Sequence, residues 1–209
     1  MKKFTQHTGV AAPIIIDNVD TDQIIPSREM NSVSREGLGD GLFAGWRYRY
    51  EGSVKNAPRS DFVLNQSKYD GATIILGGKN WGCGSSREHA VWALCDFGIR
   101  VIVAESFGRI FQRNCARNGL LAIDLPERQI ATIEKQVQAS PQTRRVLVDL
   151  EKSEIQVPGG DVLGFEIPES DRYMLLNGLD HIDFTLQYGD MIEAFVARDR
   201  KQRRWAYLS

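Results

Sequence analysis

Three short apolar runs in the middle of the chain predict buried strands. They are ATIILGG (72–78), RVIVAE (100–105) and LLAIDL (120–125), each bounded by turn residues. Between them, apolar residues recur at helical spacing over 87–97 and from 107 to the stop at 118–119. Strand, helix, strand, helix, strand with short turns is typical of a parallel sheet with right-handed crossovers.

The flanking regions predict antiparallel strands and further helices. The segment RRVLVDLEKSEIQVPGG (144–160) has two alternating runs around a short turn, which indicates a hairpin. Helical patterns cover 127–139 and 170–177, and an amphipathic pattern covers about 180–205. Near the start, IIID and QIIP predict two short Ile-rich strands around an acidic turn. We therefore expect an α/β fold with some antiparallel strands, in one domain over 1–209.

The segment 27–59 differs from the rest because it is rich in glycine and arginine. Connections this long are usually functional or mobile. The segment also carries large apolar side chains, among them Leu38, Leu42, Phe43 and Trp46. We predict a flexible flap with an apolar face.

Composition excludes several classes of function. The 209 residues include 26 basic and 27 acidic side chains, a net charge of -1 that favours neither a nucleic-acid nor a membrane surface. No run approaches the ~18 apolar residues of a membrane span, and the start MKKFTQHTG has no apolar leader. The 3 cysteines fit neither a disulfide framework nor a C-x-x-C motif. We expect reduced thiols and a cytoplasmic location.

The stretch GKNWGCGSSREHAVWA (78–93) contains the strongest chemical signal. Ser85 and Glu88 have capping-box spacing, so a purely structural role for the serine is one reading. Three glycines before it allow a close backbone approach, and helix amides beside Arg87 favour an anion. That anion could be a bound carboxylate or the deprotonated serine itself. A dyad of Ser85 with His89 stays conceivable, although a histidine there more often packs or caps.

A second polar cluster, Asp17, Asp20 and Asp22, surrounds Thr21 between the two Ile-rich runs. Such residues form turns, but three of them at predicted strand ends also suggest a polar site. The spacing does not fit a calcium loop, since the position that needs glycine is Asp22. The Cys and His spacings match no metal site, so we predict no metal bound by this chain alone.

The motifs NVDTDQIIP, GKNWGCGSSREHAVWAL, ESFGRIFQRN and LLNGLDHIDFTLQY resemble the small subunits of 3-isopropylmalate dehydratase, in the aconitase superfamily. The resemblance covers nearly the whole chain. It implies a three-layer β/β/α swivelling domain, similar to aconitase domain 4, with a mobile flap and a helical C-terminus. It also implies a hydro-lyase of leucine biosynthesis that isomerises 2-isopropylmalate to 3-isopropylmalate by dehydration and rehydration.

The same resemblance implies roles for individual residues. Ser85 would be the base that removes the carbon-bound proton, Arg87 would bind a substrate carboxylate, and Asp22 would organise the site. Other residues would line the substrate: Ser86, Thr21, Gly84, Arg28, Leu38 and Phe43. Arg28 is one of four candidates for a second carboxylate, with Arg35, Arg47 and Arg49. Leu38, Leu42, Phe43 or Trp46 would form an apolar wall, unless these side chains pack on a partner subunit instead.

The resemblance implies no cofactor on this chain and places a 4Fe–4S cluster on a separate large subunit, the expected partner in a heterodimer or heterotetramer. The expected ligand is a small dicarboxylate, with no nucleic acid and no membrane. Two alternatives stay open. One is a related hydratase acting on citraconate and 2-methylmalate, homoaconitate or dimethylmalate, and the other is a non-catalytic binding module.

Overall fold

Strands and helices alternate between residues 72 and 149 in a computed structural model that describes residues 1–30, 34–52, 54–85 and 87–207. The strands are β1 (Gln6–Ile14), β2 (Tyr48–Glu51), β3 (Val54–Pro58), β4 (Ala72–Gly77), β5 (Val101–Ala104), β6 (Leu121–Asp124), β7 (Val146–Asp149), β8 (Glu154–Gln156) and β9 (Val162–Gly164). The helices are α1 (Thr21–Ile24), α2 (Ala44–Arg47), α3 (Glu88–Phe97), α4 (Arg109–Arg117), α5 (Glu127–Gln138), α6 (Glu169–Asn177), α7 (His181–Leu186) and α8 (Gly189–Gln202).

One mixed sheet of 7 strands forms the centre, in the order β6-β5-β4-β1-β7-β8-β9. The half from β6 to β1 is parallel, with Ile74 of β4 opposite Val101 of β5, and Val101 opposite Leu121 of β6. The other half is antiparallel and includes the β7–β8 hairpin. The predicted parallel core and the predicted hairpin are both confirmed. Strands β2 and β3 form a separate two-stranded sheet.

The sheet is buried on both faces because neighbouring strand residues point to opposite sides. Ile75 packs in one apolar cluster with residues of α3 and α4, whereas Ile74 and Leu76 pack in a second cluster with residues of α5. The antiparallel strands contribute Val146 and Val148 to that second cluster as well. Both halves of the sheet therefore enclose the same core, so the sheet curls.

The N-terminal region differs from the sequence prediction at QIIP, which is not a strand. Asp20 caps the short helix α1, because its Oδ1 accepts from the Gln23 amide at 2.7 Å and the Gln23 side chain accepts from the Asp20 amide at 2.8 Å. Ile24 and Ile25 point into the core from this helix and its end. The preceding strand lies earlier than predicted, and Ile16 is exposed beyond its end.

The segment 27–59 is not an open loop where it is described. It contains single-turn 3₁₀ helices, α2 and the β2–β3 hairpin. Leu38, Leu42 and Phe43 are fully buried in the cluster beneath α3, and the Phe43 amide donates to the Ile24 carbonyl at 2.6 Å. Leu38, Leu42 and Phe43, which suggested a flap face, are thus part of the core, and Trp46 packs against it.

The C-terminal region is helical as predicted, in two pieces, α7 and α8. Within α8 the buried residue is Asp199, and most of the other side chains are exposed. In the described part of the chain, no helix is both long enough and apolar enough to cross a lipid bilayer.

Candidate active site

The site forms where the carboxyl ends of two adjacent parallel strands lead into loops that touch. β1 leads to α1, and β4 leads to the serine turn (79–85). The Gly82 amide donates to the Val19 carbonyl at 2.7 Å, and the Thr21 amide donates to the Cys83 carbonyl at 3.1 Å. These backbone bonds fix the start of α1 against the serine turn. They bring together two motifs that are about sixty residues apart in sequence.

The glycines of the serine turn serve backbone packing. Gly82 has φ +71°, and a Cβ there would lie 2.1 Å from the Phe111 ring of α4. A Cβ on Gly108, which precedes α4, would lie 2.7 Å from the Gly82 carbonyl oxygen. Gly84 has φ +86° and is exposed. Only glycine adopts such angles freely and lets the turn lie this close to α4.

Ser85 does not cap the following helix, so the predicted capping box is wrong. The N-cap of α3 is Arg87, without a side-chain cap, and Glu88 Oε1 instead accepts from Asn118 Nδ2 at 2.8 Å. The Ser85 hydroxyl is exposed and lies 3.1 Å from Thr21 Oγ1, which is fully buried. The serine hydroxyl is therefore oriented by a second hydroxyl and remains reachable from solvent.

Arg87 and Asp22 form a two-point ion pair beside this serine. Arg87 Nη1 lies 3.0 Å from Asp22 Oδ1, and Nη2 donates to Oδ2 at 3.2 Å. Ser27 completes the group, since its Oγ accepts from Arg87 Nη1 at 2.9 Å and donates to Asp22 Oδ1 at 3.3 Å. The Arg87 side chain is 33% exposed and that of Asp22 is 50% exposed, so a ligand can reach both. Sequence reasoning missed Ser27, for which no motif gave a signal.

The other acidic residues of the DNVDTD stretch have structural roles. Asp20 caps α1, and Asp17 Oδ1 accepts from the Lys79 amide at 2.8 Å. Of the three predicted acidic residues, Asp22 alone pairs with Arg87. His89 packs on Trp92, with ring centroids 4.8 Å apart, which fits the packing role rather than a dyad.

A cleft of about 470 Å³ opens next to the ion pair. It is lined by Asp22, Gln23, Pro26, Ser27, Arg28, Gly45 and Trp46. Arg28 is 47% exposed, and its guanidinium stacks 4.1 Å from the Tyr50 ring centroid. Burial would raise the pKa of Glu29 beneath it, but hydrogen bonds from Lys55 and Tyr50 outweigh burial and lower that pKa.

The remaining candidate arginines lie in different surroundings. Arg47 is held by the carbonyl oxygens of Gly39 and Leu42, at 3.3 and 3.2 Å, which is a structural role. Arg35 stacks over the Trp92 ring at 4.9 Å. Arg49 is exposed on β2. Of the four, Arg28 is the one that lines the cleft beside Asp22.

The predicted apolar wall needs a correction. Leu38 and Phe43 are only 2% and 0% exposed, so in this structure neither side chain can face a ligand in the cleft. Both are buried because the segment folds onto the core, where the Phe43 ring packs 6.0 Å from that of Trp81. Trp46 stacks on Phe43 with centroids 5.6 Å apart and lines the cleft instead. Ser86 lies outside the described residues.

The cysteines of this chain do not fit a metal cluster. Burial raises the pKa of the Cys95 thiol to about 11 and that of Cys115 well above its ordinary value, which keeps both thiols protonated. Cys83 is half-buried in the serine turn. Among the described residues, no group of three or more His, Cys, Asp or Glu side chains is placed to hold a metal ion.

Comparisons with known proteins agree with this architecture. The sequence model of the aconitase C-terminal domain family matches residues 1–128. The 3-isopropylmalate dehydratase small subunit of Cupriavidus necator is 53% identical over 208 residues, covering 100% of this chain and 99% of that protein. The protein of the same description from Rhodospirillum centenum is 49% identical and covers 99% of both chains.

A solved structure also matches. The crystal structure of 3-isopropylmalate dehydratase from Methanocaldococcus jannaschii superimposes with a TM-score of 0.64 at 27% identity, covering 90% of this chain and 98% of that one. This match shows that the similarity includes the fold, with its curled mixed sheet. The chain belongs to the family of 3-isopropylmalate dehydratase small subunits, built on the aconitase C-terminal domain.

Proposed function

We propose that this chain, acting with a large subunit, isomerises 2-isopropylmalate to 3-isopropylmalate in leucine biosynthesis. The observation that carries the proposal is the Ser85 hydroxyl, exposed and 3.1 Å from Thr21 Oγ1, beside the pair of Arg87 and Asp22. A base, a cation for carboxylate binding and an exposed cleft are what dehydration of a hydroxy dicarboxylate requires.

Ser85 acts as the base in this proposal. In its alkoxide form it takes the proton from the carbon next to a carboxylate, and the electrons of that C–H bond form the C=C bond as the hydroxyl leaves the adjacent carbon. For rehydration, Ser85 delivers its proton to the carbon that lost the hydroxyl, and hydroxide adds at the carbon that lost the proton. The hydroxyl has then moved to the neighbouring carbon and the serine is again an alkoxide. The buried Thr21 hydroxyl supports the alkoxide by donating to it.

Arg87 binds a substrate carboxylate, and Asp22 fixes the direction of the guanidinium. The planar fork of arginine suits two-point contact with a carboxylate. Negative charge grows on that carboxylate as the proton leaves, so a fixed cation stabilises the transition state more than the ground state. Gly84 and Ser86 stay part of the proposal, as backbone positions next to Ser85.

The cleft places the rest of the substrate. We assign the second carboxylate to Arg28 and the isopropyl group to the exposed face of Trp46. The support is that both side chains line the cleft that Asp22 also lines. Phe43 then supports the Trp46 ring from the core side, because the two rings stack with an angle of 2° between them.

The 4Fe–4S cluster belongs to the large subunit in this proposal. Bound there, it supplies a Lewis acid for the leaving hydroxyl. The free thiols of this chain suit a reducing compartment, so we propose a cytoplasmic enzyme. The three-layer swivelling arrangement is part of the same proposal and is supported by the curled sheet.

The decisive experiment is Ser85→Ala, assayed on 2-isopropylmalate with the cluster-loaded large subunit. We expect turnover to fall below detection while the two chains still co-purify, because the Ser85 side chain is exposed and water can replace its hydrogen bond to Thr21. Ser140→Ala, at an exposed serine outside the site, is the matched control. Wild-type kcat in Ser85→Ala would refute the assignment of the base.

The same reconstituted pair decides between substrates. Assays on citraconate, homoaconitate and dimethylmalate, run beside 2-isopropylmalate, give the ratio of kcat/KM values. A higher kcat/KM on one of the others would change the substrate, and no activity on any of them would favour a non-catalytic binding module.

A further inference from the structure

The C-terminal region, which comprises α7, α8 and the short turn that follows, exposes an unusual amount of apolar surface. Met191 is 70% exposed, Phe195 48% and Trp205 77%. Other large apolar side chains of the same region are also exposed: Ile182, Leu186, Tyr188 and Ile192. Contiguous exposed apolar surface of this kind marks an interaction site.

On each of the two helices, these side chains form a stripe rather than a scatter. On α8, counting its N-cap Tyr188, positions 188, 191, 192 and 195 recur at intervals of three and four, so they share one face of the helix. On α7, positions 182 and 186 are one turn apart. A helix of 14 residues that buries only Asp199 lacks the tertiary packing from which most helices gain stability. The stripe therefore needs a partner surface.

The end of α8 is organised locally, without a core. Arg203 donates to both carboxylate oxygens of Asp199, at 2.7 and 2.9 Å, and the Tyr207 hydroxyl donates to Asp199 at 2.7 Å. These hydrogen bonds lower the pKa of Asp199. They hold the final turn in place with Trp205 pointing outward. Ordered tryptophans of this kind dominate the binding energy of many interfaces.

The charges around the stripe indicate the chemistry of the partner. Residues 198–204 contain five basic side chains and one acidic one, Asp199, in a chain whose net charge is only -1. Arg203 is neutralised by Asp199, which leaves Arg198, Arg200, Lys201 and Arg204 as a basic rim. A surface that complements this face is an apolar groove with acidic residues at one end.

The extension formed by α7 and α8 follows the part of the chain that the family model matches. The match to the family model ends at residue 128, but the similarity to the two small subunits named above extends over 99% of each of those proteins. The extension is shared by those small subunits but lies outside the matched domain.

We propose that the exposed apolar side chains of this C-terminal region are the docking surface for the large subunit: Ile182, Leu186, Met191, Ile192, Phe195 and Trp205. This inference rests on the proposed function, which supplies the partner. The partner presents an apolar groove with an acidic end, and Trp205 is the anchor side chain.

The test uses the full chain and the cognate large subunit. The double variant Met191→Ser/Phe195→Ser should weaken binding by roughly tenfold or more, measured by biolayer interferometry. Trp205→Ala alone should give a loss of similar size. The control is Val162→Ser on β9, an exposed apolar residue away from the extension, which should bind like the wild type. Circular dichroism of the isolated double variant should match the wild type, because both side chains are exposed.

Three outcomes overturn the proposal or separate it from the proposed function. Affinity of the double variant within about threefold of wild type overturns it. The second outcome is that light scattering shows a dimer for the isolated wild-type chain and a monomer for the double variant. If the double variant still binds the large subunit normally, the face belongs to a second copy of this chain, which also overturns the proposal. At saturating large subunit the double variant should keep wild-type kcat. A wild-type complex that forms but has no activity would refute the proposed function and leave this surface intact.

Discussion

Replacing Thr21 by valine removes one hydroxyl and tests how the proposed base is supported. Thr21 is fully buried, and its Oγ1 lies 3.1 Å from Ser85 Oγ. Valine keeps the shape but cannot donate to a serine alkoxide. A hydrogen bond to a charged group contributes about 1.5–3 kcal/mol. We therefore expect kcat to fall by roughly 10- to 150-fold, since about 1.4 kcal/mol corresponds to a factor of ten.

The stability of the same variant should change little. The resting bond between two neutral hydroxyls contributes about 0.5–1.5 kcal/mol, and 3.1 Å is long for such a bond. Water can replace the lost partner because Ser85 is exposed. Thr21→Ser keeps the hydroxyl but removes a buried methyl group, which costs about 1 kcal/mol. The less stable variant should therefore be the more active one.

Two measurements on each variant separate the effects. Steady-state kinetics with the large subunit give kcat and KM, and urea unfolding of the isolated chain gives the free energy of unfolding. We expect Thr21→Ser to keep kcat within about threefold of wild type, because the donor remains. Equal kcat for Thr21→Val and wild type would refute the supporting role. A fall in kcat that follows stability in both variants would show that Thr21 acts only through folding.

Three further predictions concern binding, packing and pH. Arg87→Lys should raise KM by roughly tenfold or more while stability is kept, because lysine retains the charge without the two-point fork; an unchanged KM would contradict carboxylate binding. Gly82→Ala should destabilise the chain in urea unfolding by about 2–4 kcal/mol, because its φ is +71° and the new Cβ would overlap the Phe111 ring. Gly84→Ala, at φ +86° with its nearest contact at 3.4 Å, should lose only about 1 kcal/mol, and equal losses would show that the overlap is relieved. Burial lowers the pKa of His7 below 6.5, so the unfolded chain binds the proton more readily, and stability should fall as the pH drops from 6.5 towards the folded pKa. His7→Gln should flatten this dependence in denaturation at pH 7.5 and 5.5, and an unchanged slope would assign it to another group.

The parallel half of the sheet could be predicted because its strands are continuous apolar runs between turns. Such runs are typical of strands buried on both faces, as β4, β5 and β6 are. The residues that the family motifs single out also come together in pairs, since Thr21 lies against Ser85 and Asp22 pairs with Arg87. What sequence spacing could not decide was which local hydrogen bonds form.

Two capping-box patterns in this chain show why. Asp20 and Gln23 have the spacing and form the box, whereas Ser85 and Glu88 have the spacing and do not. The second pattern fails because tertiary partners compete. Asn118, thirty positions later, donates from Nδ2 to the Glu88 carboxylate at 2.8 Å, and Ser85 lies against a buried threonine. No pattern within four residues contains that information.

The aromatic residues of the segment 27–59 illustrate the same limit. A fully buried Phe43 and a half-buried Trp46 are neighbours in sequence and could not be told apart by residue type. The difference arises from Trp81, which is far away in sequence and packs edge-on against both Phe43 and Phe111. Aromatic pairs of this geometry each add about 0.5–1.5 kcal/mol, so Phe43 is held in the core.

The exposure of the ion pair has a consequence for how the proposed site works. A pair as exposed as Arg87 and Asp22 contributes at most about 1 kcal/mol, because water screens it. A substrate carboxylate can therefore compete for the guanidinium at little cost, which a buried pair would not permit. The same exposure keeps the guanidinium weak as a catalyst in the isolated chain. Water must leave before the charge acts at full strength, and a second surface closing over Ser85 would exclude it. In the free chain, Arg87 can exchange Asp22 for a substrate carboxylate but stays hydrated. In the complex it would be desolvated, so catalysis would be confined to the assembled enzyme.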